Sequence, residues 1–330
     1  MESKDIVITS RIRLARNLKD YRFPIKMSQE ESSKVIQEVN KAVSGTDLNY
    51  NLIYLKDLSD MQRNALVENH LISPALANNK DRGALLLSSD KNVSVMLNEE
   101  DHVRIQTLEK GMSLKKCWDL SNKIDDVIED SVEYAFDKEL GYVTSCPTNI
   151  GTGMRASVMI HLPALSITNQ IEKLLYGVSQ LGVAVRGVYG EGTKSLGHLY
   201  QVSNQGTLGA SEETLIDKIN QIVKQIVEKE EKMREHLKKN NFEDIEDEFY
   251  RAYGLLSNAR KMATEEAMRL LSLIKLGREM EMIDVADGKN LYDLMVRIQP
   301  NNLLTAEDNE LLPNERDSKR AEIIRKELLS

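Results

Sequence analysis

Cys146 heads the stretch CPTNIGTGMRASVMIHLP (146–163), in which a thiol, two glycines and an arginine fall within ten residues. Gly151 and Gly153 can take φ > 0 and let the backbone approach a ligand closely. Arg155, just beyond them, can reach back over whatever the turn holds. The combination reads as a site rather than a core strand, although Cys-Pro and Gly-x-Gly are also common turn material. Three more stretches carry related chemistry: TSRIRLARN (9–17), NEEDHVRI (98–105) and RGVYGEGTKSLGHLYQVSN (186–204). They add Arg11, Arg13, Arg104 and Arg186. Converging guanidiniums fork onto phosphate oxygens and can hold a polyphosphate without a P-loop. Taken singly, each is equally an ordinary surface arginine. Glu99, Glu100 and Asp101 are either a solvated charge run or, at the end of an apolar strand, site carboxylates. GVYGEGTKS imitates a Walker A loop, but Thr193 separates Gly192 from Lys194, and a strand-like LGHLYQV follows instead of a helix.

The elements that must position these residues follow from period and punctuation. IVIT (6–9) reads as a strand, and if it continues, Arg11 and Arg13 share one face. Ser28 and Glu31 make a capping box for a helix with Val35, Val39 and Val43 in a stripe, stopped by Gly45. NLIYL (51–55) is a strand, and a second helix runs from Ser59 to about Leu71, ahead of Pro74. ALLLSSDKNVSVML is a hairpin that delivers NEED at its exit. A long amphipathic helix starts at Ser113 and leaves Cys117 in the core. RASVMIHL is strand-like, and His161 within it is structural. Hairpins join strands as often as helices do, so the fold class is α+β, with a largely antiparallel sheet flanked by helices. Past Ser211 the chain is helical throughout, with a long helix bridging the change.

At 330 residues the chain has room for a large domain and a smaller one. A net charge of −8 excludes a general basic face and hence direct nucleic-acid binding. Two distant cysteines fit a reducing compartment and neither a zinc ribbon nor a disulfide framework. MESKDIVITS lacks the basic and apolar regions of a leader, and no window approaches the roughly 18 apolar residues of a membrane span. The expectation is a soluble, cytoplasmic protein with no membrane attachment.

In that order and spacing, the four stretches resemble the catalytic domain of the phosphagen (guanidino) kinases, the creatine and arginine kinase family, over about the first two thirds of the chain. The resemblance implies ATP with Mg2+, the ion resting on phosphates and water, so no protein ligand for it is named. It makes Arg11, Arg13, Arg104, Arg155 and Arg186 the phosphate clamp, with His70 near the base or ribose. Ser10, Ala156, Ser157, Val158, Met159, Gly187 and Gly190 fall in the same nucleotide-binding motifs. Glu100 becomes the general base and Glu191 a second carboxylate gripping the substrate guanidinium. Such a base is needed because an arginine, with a pKa above about 12, is a poor nucleophile until a proton leaves it. Cys146 would contact that guanidinium and tune activity without a covalent intermediate.

The remaining sequence points to the protein-arginine kinases of this family. TSRIR comes within nine residues of the start, so the domain that closes over a small guanidino substrate is expected to be missing. RDSKRA (316–321) matches a phosphoarginine-pocket motif, with Arg316 and Arg320 on the phosphoryl group, Asp317 on the guanidino N–H donors, and Ala321 completing it. The plainer reading is a helix start with Asp317 as N-cap. The expected division is a catalytic domain at 1–225 and a helical domain at 226–330 for dimerisation and phosphoarginine binding. Met268, Leu271 and Ile274 need burying, and a symmetric homodimer is a common way to do it. By resemblance the substrates are arginines of a CtsR-type repressor and of unfolded proteins, marked for regulated proteolysis in a stress response. The partners would be an McsA-type activator and the ClpC–ClpP protease. Free-arginine kinase and non-catalytic phosphoarginine-binding adaptor are the alternatives.

Overall fold

The computed structural model describes residues 6–44, 49–189, 195–285, 288–307 and 311–329. Its axis is β1 (Val7–Arg16), followed by α1 (Gln29–Val43), β2 (Tyr50–Tyr54), α2 (Asp60–Glu68) and α3 (Pro74–Asn78). Next come β3 (Ala84–Ser88), β4 (Val93–Leu97), β5 (Val103–Lys110), α4 (Leu114–Glu129) and the short β6 (Phe136–Asp137) and β7 (Gly141–Tyr142). β8 (Met154–His161), α5 (Pro163–Ile167), α6 (Ile171–Ser179), β9 (Val183–Gly187) and β10 (Leu199–Asn204) complete the sheet region. Six helices follow: α7 (Glu212–Asn240), α8 (Phe242–Asn258), α9 (Thr264–Glu279), α10 (Leu291–Arg297), α11 (Pro300–Glu307) and α12 (Pro313–Leu329). The large sheet has the order β2-β3-β4-β5-β1-β8-β10-β9, and every neighbouring pair is antiparallel. The α+β expectation holds. α1 carries the Ser28–Glu31 capping box; the helix expected from Ser59 is α2, capped by Ser59 and ending at Glu68, and a separate short α3 opens on Pro74.

Strand alternation gives the sheet two unlike faces. Ile12, Leu14, Ile105, Ala156, Val158 and Val202 point to one, where α1, α4 and α7 cover them in the main core. The other face is apolar only at its ends. Leu85, Leu87 and Met96 pack there under α2 and α3; Met159, Val188 and Leu199 pack under the C-terminal helices. Between those two patches lie the arginines. α7 runs unbroken through residues 225 and 226 on a stripe that includes Leu215, Ile219, Ile222 and Ile226. Met268, Leu271 and Ile274 are fully buried within the chain itself. Their burial is therefore satisfied by α8 and the sheet end, and these three residues supply no dimer surface.

Candidate active site

β1 continues well past Thr9, so Arg11 and Arg13 project from one face. Register then brings their partners alongside. Arg13 lies opposite Arg155 of β8 and Gln106 of β5; Arg11 lies opposite Ser157 and Leu108. Arg104 on β5 and Arg186 on β9 have the same parity, so all five guanidiniums belong to the face left polar. Arg11 Nε donates to Ser157 Oγ (3.3 Å) and Arg155 Nη2 to Ser203 Oγ (3.0 Å), whereas Arg13 Nε is buried without an acceptor. Crowding shows in the electrostatics. Burial, then Arg155, lowers Arg11 to about 10. Burial, then Arg11, Arg104 and Arg155, pushes Arg13 well down, with Glu99 opposing. Arg155 is lowered by burial, then by Arg186 and Arg104, with Cys146 opposing. Several cations packed together in low dielectric form a site short of an anion.

The acidic triplet is a tight turn at the mouth of β5. Asn98 opens it at φ 58° and its N–H donates to His102 O (2.9 Å). Arg104 bridges both glutamates, Nη1 to Glu99 Oε2 (2.5 Å) and Nη2 to Glu100 Oε2 (3.1 Å). Glu99 is buried and also bonded by Ser73 Oγ, while the Glu100 side chain is 45% exposed. Asp101, fully buried, accepts from Asn17 Nδ2 (2.7 Å) and from the Ser145 backbone N–H (2.7 Å), which ties the acidic turn to the residue before Cys146. His102 Nδ1 accepts from Leu18 N (3.0 Å), so Nε2–H donates to Arg22 O (3.0 Å) and the ring is the neutral tautomer. Cys146 Sγ lies 3.1 Å from Thr148 Oγ1. Behind it, Gly153 sits at φ 64°, where a Cβ would meet Ala15 O and Arg16 Nη1, each at 2.6 Å. Buried Arg16 holds that turn by donating to Thr152 O (2.9 Å), while Asp125 grips it from α4 (2.6 Å). Glu100, Cys146, Arg13, Arg104 and Arg155 thereby line one cavity of about 150 Å3.

A second cavity of about 670 Å3 opens on the same face and takes in Arg11, His70, Ser157 and Met159. His70 takes φ 59° at the end of α2, and Gln106 Nε2 donates to its carbonyl (2.8 Å). Burial, then Arg11, lowers the His70 imidazole to about 3, so it is neutral. Ser10, Ala156 and Val158 are corrected by the structure. They alternate onto the helix-covered face, where Ser10 Oγ donates to Gly111 O (2.7 Å) and the other two are core. Gly187 ends β9 beside Arg186, and Gly190 and Glu191 lie outside the described residues. Cys117 is core, its thiol pushed up to about 12 by burial. His161 is buried against Ser272 Oγ (2.7 Å).

RDSKRA sits inside α12, which starts at Pro313, so Asp317 is not its N-cap. Arg316 and Asp317 are half-buried. Arg320 is fully buried and already donates to Ile298 O (3.0 Å), Met262 O (2.8 Å) and Asp317 Oδ1 (2.6 Å). It anchors α12 and does not converge freely with Arg316; Ala321 is core beside it. The sequence reading passed over Gln106, Ser203 and Tyr189. Gln106 could have been found by counting two residues on from Arg104; the others had no local signal.

Residues 31–233 match the family model of the ATP:guanido phosphotransferase C-terminal catalytic domain, and residues 242–330 that of the protein-arginine kinase McsB C-terminal domain. A protein-arginine kinase of Caldanaerobacter subterraneus subsp. tengcongensis is 49% identical over 329 residues, spanning 98% of this chain and 97% of the relative. That of Bacillus pumilus is 45% identical over 98% of this chain and 90% of its own. Among solved structures, a lombricine kinase superposes with TM-score 0.61 at 26% identity, covering 70% of this chain and 67% of that one. The match to a guanido phosphotransferase runs through the arginine-bearing sheet and the match to an arginine kinase of proteins through the helices behind it: the chain belongs to the protein-arginine kinase branch of the ATP:guanido phosphotransferase family.

Proposed function

We propose that the protein transfers the γ-phosphoryl group of ATP to arginine side chains of other proteins. The observation that carries this reading is the small cavity where Glu100 and Cys146 meet three guanidiniums. The cationic face suits a triphosphate, since its guanidiniums favour an anion that repays their burial and mutual repulsion. Glu100, half in solvent at the edge of that face, is reachable by an arginine on another chain. Its carboxylate accepts one guanidinium proton as the N–P bond forms and the bond from the γ-phosphorus to the departing ADP oxygen breaks, and the cation becomes a nucleophile. Holding the guanidinium in line against the clamped phosphate supplies the rest. Mg2+ would neutralise the β and γ oxygens. The carboxylates beside the face, Glu99 and Glu100, are both paired with Arg104, which favours an ion bound through phosphates and water.

The same reading extends to proposals about partners. Substrates would be a CtsR-type repressor and unfolded proteins, delivered to ClpC–ClpP, with an McsA-type activator and a homodimer. RDSKRA would read phosphoarginine through Arg316 and Asp317, with Arg320 fixing the Asp317 carboxylate. The test is incubation with ATP and either free L-arginine or an unfolded arginine-rich protein. Phosphorylation of the protein and not of the amino acid is expected. Turnover of free arginine alone would make it a metabolite kinase, and no turnover of either a binding protein.

A further inference from the structure

The larger cavity is not closed by the sheet region alone. Its far wall is helical, with Tyr292, Val296 and Arg297 of α10 facing Arg11, Leu71 and Met159 across it. At about 670 Å3 it falls within the range of roughly 300–1,000 Å3 usual for a small-molecule site. Its lining combines guanidinium and hydroxyl groups at Arg11 and Ser157 with apolar and aromatic ones at Leu71, Leu108, Val296 and Tyr292. A nucleotide brings the same two characters, in its phosphates and in its flat, apolar-faced base. We propose that Tyr292 is a nucleotide-contacting residue, supplied by the C-terminal helical region to the base end of the site. This rests on the ATP reading above.

Tyr292 is held in place without any ligand. Its hydroxyl has one proton to donate, to Met159 Sδ (3.4 Å) or to the Tyr189 hydroxyl. Tyr189 in turn donates to Glu68 O (3.0 Å), so its contact with His70 Nε2 (2.8 Å) is a bond donated by the imidazole. The His70 and Tyr189 rings stand 5.1 Å apart. A line from α2 through the end of β9 to α10 thus fixes the ring, and a fixed aromatic side chain costs little entropy to offer to a base. ATP then spans two regions that different family models describe, and binding it favours α10 docked on the sheet.

The test measures binding of ATP and of inorganic tripolyphosphate to the full chain, in wild type, Tyr292→Phe and Tyr292→Ala. Stacking on an aromatic is worth enough that Tyr292→Ala should bind ATP about 10-fold or more weakly. Tripolyphosphate, which has no base, should bind both proteins alike, and Tyr292→Phe should keep most of its ATP affinity. Equal ATP affinity in Tyr292→Ala, or an equal loss of ATP and tripolyphosphate, overturns the proposal. A wild type that binds tripolyphosphate but prefers it to ATP removes the base site altogether. A wild type that binds neither contradicts the ATP reading itself.

Discussion

At the scale of single residues, the site is a set of cations that burial and mutual repulsion make costly to keep. Arg13, half-buried with a covered, unpaired Nε and a proton affinity lowered by burial and then by three neighbouring guanidiniums, is the extreme. Arg155 is the more informative to change, because it lies opposite Arg13 in register and lines the Glu100–Cys146 cavity with it. Arg155→Ala should weaken ATP binding and slow transfer, since the phosphates lose a forked, charge-assisted partner. That class of bond is worth about 1.5–3 kcal/mol. Arg155→Lys should recover only part of it, because an ammonium cannot span two oxygens. Calorimetry and initial rates on both variants decide this, and full recovery with lysine would mean that only charge matters at that position.

At the scale of elements, register and docking do the positioning. α9 is pinned to the sheet end by Ser272 Oγ, which meets His161 Nε2 (2.7 Å) and His198 Nδ1 (2.8 Å). Burial, then Arg269, lowers His198 from 6.5 to about 4, and burial, then Lys275, pushes His161 well down. An unfolded histidine binds protons more readily than either, so acid favours the unfolded chain. The contribution is complete above pH 6.5 and is lost as the pH falls towards about 4. Urea midpoints should therefore drop between pH 7 and pH 5, and His198→Asn should flatten that slope; an unchanged slope removes His198 from the joint. Period-two reasoning made Arg11 and Arg13 legible as a pair, and hairpin signals made the antiparallel sheet legible. Register is set by long-range pairing, so the apposition of Arg13 with Arg155 had no local sign. Naming Ala156 and Val158 with Ser157 as one block ignored alternation, which sends neighbours to opposite faces. The Asp317 cap failed because Pro313 starts α12 a turn earlier than the charged residues suggest.

At the scale of the molecule, one sheet face is divided into two apolar footings and a cationic trough between them. The long stripe of α7 was readable from its spacing. The burial of Met268, Leu271 and Ile274 inside the chain was not, because an apolar helix face does not say whether its cover is intramolecular. The same limit hid Tyr292, which reaches the larger cavity only after the chain has gone around the sheet. Asp101 joins the acidic turn to the thiol turn, so that Glu100 and Cys146 line one cavity; the proposed mechanism has Glu100 act there on a guanidinium held in line with the phosphate. The most direct test is mass spectrometry, at neutral pH, of an arginine-rich protein after reaction with ATP and either wild type or Glu100→Gln, with ATP affinity measured in parallel. Acid-labile phosphoarginine is expected with wild type. Losing a positioned base should lower its rate of formation by about 10²–10⁴, with ATP affinity in Glu100→Gln nearly intact. Near wild-type turnover by Glu100→Gln, or phosphate found on serine or threonine instead, would contradict the account.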